Sequence, residues 1–237
     1  PFFEYVSGRY QAVTGLKGEG AAGEAGSFPQ FVYYQMGLPS FTTNVWTLPP
    51  AAGSRTGGST DARWLAYFDS IGVDGFVQWT PARHPSLGDV EVGGFRPNAR
   101  VNPPASLLAE AAQKQAEFAL WLAQQLPQVD VVETKVEPRG DNVFLVTTTL
   151  ANEQYLPTQL SMGQRIRFNR PITVRLMPAD GVVVLTGDPQ QQVPRLEGMG
   201  DRAKFTWLVQ ARPGTRVNME VFAERAGGLQ TIPVTLR

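Results

Sequence analysis

The sequence predicts an α/β segment over residues 1–127 followed by an all-β sandwich over residues 128–237. Three observations carry that division. An amphipathic helical pattern runs from Leu107 to Leu126 and meets Pro127, which marks a helix stop. From Val129 onward the apolar spacing switches to period two, the alternation that turns one strand face to a core. Ahead of the helix, short helical and strand patterns mix, separated by glycine- and proline-rich stretches.

Taken in order, Pro1 to Tyr10 (PFFEYVSGRY) opens on aromatics with no capping residue, which predicts a chain excerpted from a larger fold. Gly15 to Ser27 contains five glycines and reads as a loop. Phe28 to Met36 places apolar residues at 28, 31, 32 and 36, so a helix ending at Gly37 is predicted. Pro39 to Trp46 is β-branched and aromatic and predicts a strand, and Thr47 to Ser59 a surface loop. Asp61 is the expected N-cap of a helix over Ala62 to Ser70, with Trp64, Leu65 and Phe68 on one face. Gly72 to Gly75 turns the chain into Phe76-Val77-Gln78-Trp79. Then comes His84 to Gly94: a turn, a short strand with Glu91 between Val90 and Val92, and a glycine pair. Asn98, Asn102 and Pro103-Pro104 shape the following loop, and Ser106 caps the long helix. Its apolar stripe is Leu107, Leu108, Ala111, Phe118, Ala119, Leu122 and Leu126.

In the last part, Ile172, Val174 and Leu176 alternate with polar neighbours. Phe205-Trp207-Val209, Val217-Met219-Val221 and Ile232-Val234-Leu236 do the same. Turns fall at Arg139 to Asn142, Ala179 to Gly181, Arg212 to Gly214 and Gly227-Gly228. Seven or so short strands in about 110 residues fit an immunoglobulin-like sandwich. Pro233 predicts an edge position for the last strand, since proline cannot donate to a ladder.

Charge and composition exclude several functions. Lys plus Arg and Asp plus Glu balance at 21 each with no basic run, so nucleic acid is not an expected partner. No apolar run approaches the roughly 20 residues of a membrane span. Cysteine is absent and His84 is the one histidine, so a zinc site built wholly within this chain is not expected. His84, before a proline in a turn, reads as a local hydrogen-bonding residue. Glu91 is the candidate general acid or base, if its strand points it into a partly buried cleft. The alternative is a structural Glu91, anchoring a turn or pairing with Arg96 or Arg100. Asp89 lies two residues away on the same strand, hence on the same face, and leaves no opposite wall for a sugar.

Larger motifs add to this reading. The segments Phe76-Val77-Gln78-Trp79, His84-Pro85-x-Leu87-Gly88-x-Val90-Glu91-x-Gly93-Gly94 and Asn102-Pro103-Pro104 resemble the end of the catalytic domain of bacterial zinc metallocarboxypeptidase-like proteins. Asn152-x-x-Tyr155-Leu156-Pro157-Thr158 is similar to the start of the β-sandwich that follows it there. The resemblance implies hydrolysis of C-terminal peptide bonds by a zinc-polarised water, with a glutamate as general base and a peptide or protein substrate. It implies zinc ligands in the upstream part of the same protein, none for this chain alone, and a secreted, periplasmic or envelope location. It also places Asn44 of Thr42-Thr43-Asn44-Val45-Trp46 where relatives carry Thr-Thr-Glu-Leu-Trp. An amide cannot accept a proton at neutral pH, and Glu91 accompanies that glutamate rather than replacing it. The alternative is a non-catalytic peptide- or glycan-binding or assembly protein, with aromatics such as Phe222 or Tyr155 contacting the ligand.

Overall fold

The structure, a computed structural model, describes residues 2–16, 25–49, 59–177 and 179–237. The chain forms two compact units. One comprises Pro1–Ala22 with Thr42–Leu122, the other Gly23–Phe41 with Ala123–Arg237. Among the described residues no helix is long and apolar enough to cross a membrane. The loops expected over 15–27 and 47–59 fall largely outside the described residues.

The first unit begins with a helix that the sequence reading left unassigned, α1 (Phe2–Thr14). Its buried Val6, Tyr10 and Thr14 are spaced by four, which puts them on one face. Tyr10 meets Phe118 of α4 (Ala105–Gln124) edge to face, with ring centroids 5.0 Å apart. The strand expected over Pro39–Trp46 does not form. Among the described residues that segment has no partner strand, and a strand without a ladder leaves its backbone groups unpaired. It is held instead by Trp46, whose ring packs with Trp64 and Phe68 of α3 (Thr60–Ser70). That helix starts earlier than expected. Ser59, not Asp61, is its N-cap and accepts from the Ala62 N–H at 3.3 Å. Asp61 sits in the first turn and pairs with Arg100 at 2.8 Å.

The short strand expected around Glu91 is β2 (Gly88–Phe95), which pairs antiparallel with β1 (Phe76–His84), and the two form a sheet of their own. In α4, Ser106 lies inside the helix rather than at its cap. Of the expected stripe Phe118 alone is fully buried, while Leu108 is 52% exposed and Leu126 lies beyond the helix end.

The second unit contains the helices α2 (Phe28–Met36) and α5 (Ser161–Ile166) beside eight strands. The α2 helix ends as expected at Gly37, whose φ of 64° is the left-handed conformation of a helix C-cap. One four-stranded sheet has the order β3 (Val129–Gly140), β4 (Val143–Asn152), β8 (Asp201–Gln210), β6 (Val183–Thr186). The other has the order β10 (Gly228–Thr235), β9 (Arg216–Ala223), β5 (Ile172–Met177), β7 (Gln190–Val193). All neighbours are antiparallel. The predicted alternation is observed: Val174, Leu176, Met219 and Val221 of one sheet share a buried cluster with Val146, Leu150, Trp207 and Val209 of the other. Pro233 lies on β10, an edge strand as expected.

Two polar anchors close this core. The Trp207 indole N–H donates to the Asp188 carbonyl at 2.8 Å. Buried Asn152 donates to the carbonyls of Leu156 (2.7 Å) and Glu197 (3.0 Å) and accepts from the Gln128 N–H at 3.2 Å. A buried amide is tolerated because its hydrogen-bonding groups are satisfied.

Candidate functional site

In the hairpin, Glu91 stands opposite Pro81 and Asp89 opposite Arg83. Glu91 and Asp89 share a face because they are two apart, and both are exposed. The partly buried setting considered for Glu91 is therefore absent. Nor does Glu91 take either arginine suggested for it: Arg96 donates to Asp74 at 2.5 Å and Arg100 to Asp61 at 2.8 Å. Arg100 also lies over the Phe95 ring, 4.5 Å from its centroid.

His84 does what a local hydrogen-bonding residue would do. Its Nδ1 accepts from the backbone N–H groups of Ser86 and Leu87, each at 3.3 Å, and lies 3.1 Å from the Ser86 hydroxyl. The imidazole thus caps the turn with the nitrogen that a metal would otherwise compete for. At the other end of the hairpin the pairing steps from Val77↔Gly94 to Thr80↔Val92, so Gln78 and Trp79 together oppose Gly93. A Cβ at Gly93 would lie 2.7 Å from the Trp79 Cα and 2.8 Å from its nitrogen. The glycine is required by this bulge, which turns Trp79 outward at 57% exposure.

Asn44 is held by its backbone rather than its side chain. The Tyr10 hydroxyl donates to the Asn44 carbonyl at 2.7 Å, and the Gln115 amide of α4 donates to that hydroxyl at 3.0 Å. Two residues on, the Trp46 indole N–H donates to the Ala99 carbonyl at 3.1 Å. The loop is pinned at the Asn44 backbone and again at Trp46, while Asn44 itself is exposed. Among the described residues no hydrogen bond or ion pair joins Asn44 to Glu91.

Zinc does not fit the donor set of the described residues. Among the described residues no three His, Cys, Asp or Glu side chains are grouped as metal ligands, and His84 Nδ1 is committed to its turn. No chemical step is therefore routed through a metal held by these residues.

A second site, absent from the sequence reading except for Phe222, lies on the outer face of the β10-β9-β5-β7 sheet. It is an open cleft of about 470 Å³. The register places Gln192, Thr173, Phe222 and Leu229 in one cross-strand row, and Gln190, Arg175 and Glu220 in the next. All seven line the cleft, with Arg170 and Pro171 at its end. Arg175 Nη2 donates to Gln190 Oε1 at 2.9 Å. Tyr155 is not among the lining residues. Period two could have marked Thr173, Arg175, Glu220 and Phe222 as outward-facing; the pairing of β7 beside β5 has no sequence signal of its own.

Comparison with known proteins adds little to this geometry. A family model described as a domain of unknown function (DUF8731) matches residues 128–232. No curated protein matches the chain. Among solved structures, the crystal structure of a GH3 beta-glucosidase from Bifidobacterium adolescentis is similar over 46% of this chain and 17% of its own, at 15% identity and a TM-score of 0.26. A similarity of that strength carries no argument about fold or activity.

Proposed function

We propose that this chain is part of a metallocarboxypeptidase-like protein that has lost the general base of its peptidase site and binds peptide rather than cleaving it. One observation carries the reading. The Trp46–Ala99 hydrogen bond and the Trp46, Trp64, Phe68 cluster hold the Thr42–Trp46 segment against Phe95, at the end of the Glu91 strand, and Ala99 just beyond it. The loop presenting Asn44 and the segment that follows the Glu91 strand thus belong to one packed unit. The zinc that such proteins use would be held by residues outside this chain.

An immunoglobulin-like reading of the second unit is supported by its strand orders. Reading β3, β4, β5, β6, β8, β9 and β10 as successive strands A to G gives one sheet A-B-E-D and the other G-F-C, with β7 added beside C.

The test is release of C-terminal residues from peptides, with and without added zinc, by this chain and by a longer protein containing it. This chain should release nothing. In the longer protein Asn44→Glu should raise the rate, since a general base is worth about 10²–10⁴-fold. Zinc-dependent release at a full peptidase rate with Asn44 in place would sink the lost-base reading.

A further inference from the structure

The outer face of the β10-β9-β5-β7 sheet departs from what a solvated sheet face needs. Phe222 and Leu229 are direct cross-strand partners on that face, and Leu229 is 62% exposed. Beside them, Arg175 stands opposite Glu220 across β5 and β9, yet no ion pair forms between them. Arg175 uses one nitrogen on Gln190, and its remaining N–H donors have no partner among the described residues. Arg170, at the end of the cleft, forms no ion pair with a described residue either. The lining therefore carries two guanidinium groups against one carboxylate, next to an apolar spot, in a cleft of about 470 Å³. That volume falls within the range of small-ligand sites, roughly 300–1,000 Å³.

We propose that this face binds an acidic peptide segment that also carries an apolar side chain. Guanidinium groups pair carboxylates through two parallel hydrogen bonds. Gln190 holds Arg175 in place, so less side-chain freedom is lost when a carboxylate docks. Phe222 and Leu229 receive the apolar side chain while Gln192 and Thr173 offer hydrogen bonds to the peptide backbone. A neutral glycan matches the face less well. It would leave the excess positive charge uncompensated, and Phe222 is only half exposed, which limits its ring as a stacking platform. The site lies wholly in the second unit and stands independently of the peptidase-like reading.

The experiment is a nuclear magnetic resonance titration of the isotope-labelled 237-residue chain with three probes. They are the acidic peptide acetyl-Glu-Leu-Glu-Phe-Glu-amide, the same peptide with glutamine for each glutamate, and a neutral N-acetylglucosamine pentasaccharide. The acidic peptide should shift amides of β5, β7 and β9, bind more weakly as salt rises, and bind roughly tenfold more tightly than its glutamine counterpart. Arg175→Gln, a change at an exposed position, should weaken binding roughly tenfold without altering thermal unfolding. Phe222→Ala should weaken it as well. Equal affinity for the two peptides, absence of shifts on these strands, or shifts produced only by the saccharide would each overturn the proposal.

Discussion

The two units of this chain bury their apolar residues in different ways. In the second, nineteen buried residues, fifteen of them on strands of the two sheets, form one cluster. In the first, the buried apolar residues among those described are Val6, Tyr10, Trp46, Trp64, Phe68 and Phe118, while Val77, Trp79, Leu87, Val92, Val101, Leu108 and Leu120 are exposed. Both are rich in apolar residues, but among the described residues only the second closes a continuous core. The difference teaches that an amphipathic pattern states a demand for burial without stating what meets it. The first unit should accordingly exchange its amide hydrogens faster than the second.

The largest effect is expected from Trp207→Ala, which removes a fully buried indole and strands the Asp188 carbonyl. A loss of about 4–5 kcal/mol is predicted, read by urea unfolding of the β signal. Phe68→Ala tests the other unit. Its ring lies where a Cβ on Gly75 would approach within 2.5 Å, so the pocket is tight. The expected loss is about 3 kcal/mol, at the low end for such changes, because a small core can collapse around the gap. Its signature should appear as faster exchange in the first unit alone; a matching change in β3–β10 would mean that the two units unfold together. Gly93→Ala comes next, at about 2 kcal/mol, because the new methyl meets the Trp79 backbone rather than a movable side chain. Tryptophan emission should report displacement of the Trp79 bulge.

The smallest effect concerns pH. The Lys135 ammonium hydrogen-bonds Glu133 and holds its carboxyl below the ordinary 4.5, while Glu133 raises Lys135 above the ordinary 10.5. The carboxylate's contribution is present above about pH 4.5 and is lost as pH falls through its lowered value. The ammonium's contribution is present below about 10.5 and is lost as pH rises through its raised value. Both groups are exposed, so Glu133→Gln should barely move the unfolding midpoint at pH 7 and should flatten its fall in acid.

How far the sequence could be read follows from where the information lay. Strands β5, β8 and β9 were legible because period two is set by the pleat, and a facing sheet enforces it on each residue. The helix at Phe28–Met36 was legible for a similar reason, with Gly37 ending it. Pro39–Trp46 was misread because β propensity describes a side chain's fit to a sheet, and no sheet is there to fit. Ser59 lost the cap to Asp61 in the reading although both are good caps; one residue of phase decides, and composition does not carry it. At the candidate site, the role of His84 was readable from its place before a turn proline. The burial expected of Glu91 was not readable, since two flanking valines do not reveal whether anything covers the strand. Gly93 was noticed as part of a motif, but the reason for it is the two-residue bulge across the hairpin, a feature of pairing that one strand alone cannot display.

One consequence of the strand orders concerns solubility at high concentration. Of the four outer strands in the second unit, β6 and β7 are four residues long. The other two, β3 and β10, carry Pro138 and Pro233, and β3 adds Glu133, Lys135 and Glu137. Short, charged and proline-bearing margins give a neighbouring chain little to hydrogen-bond along. Growth of this unit into stacked β assemblies is therefore disfavoured at these margins.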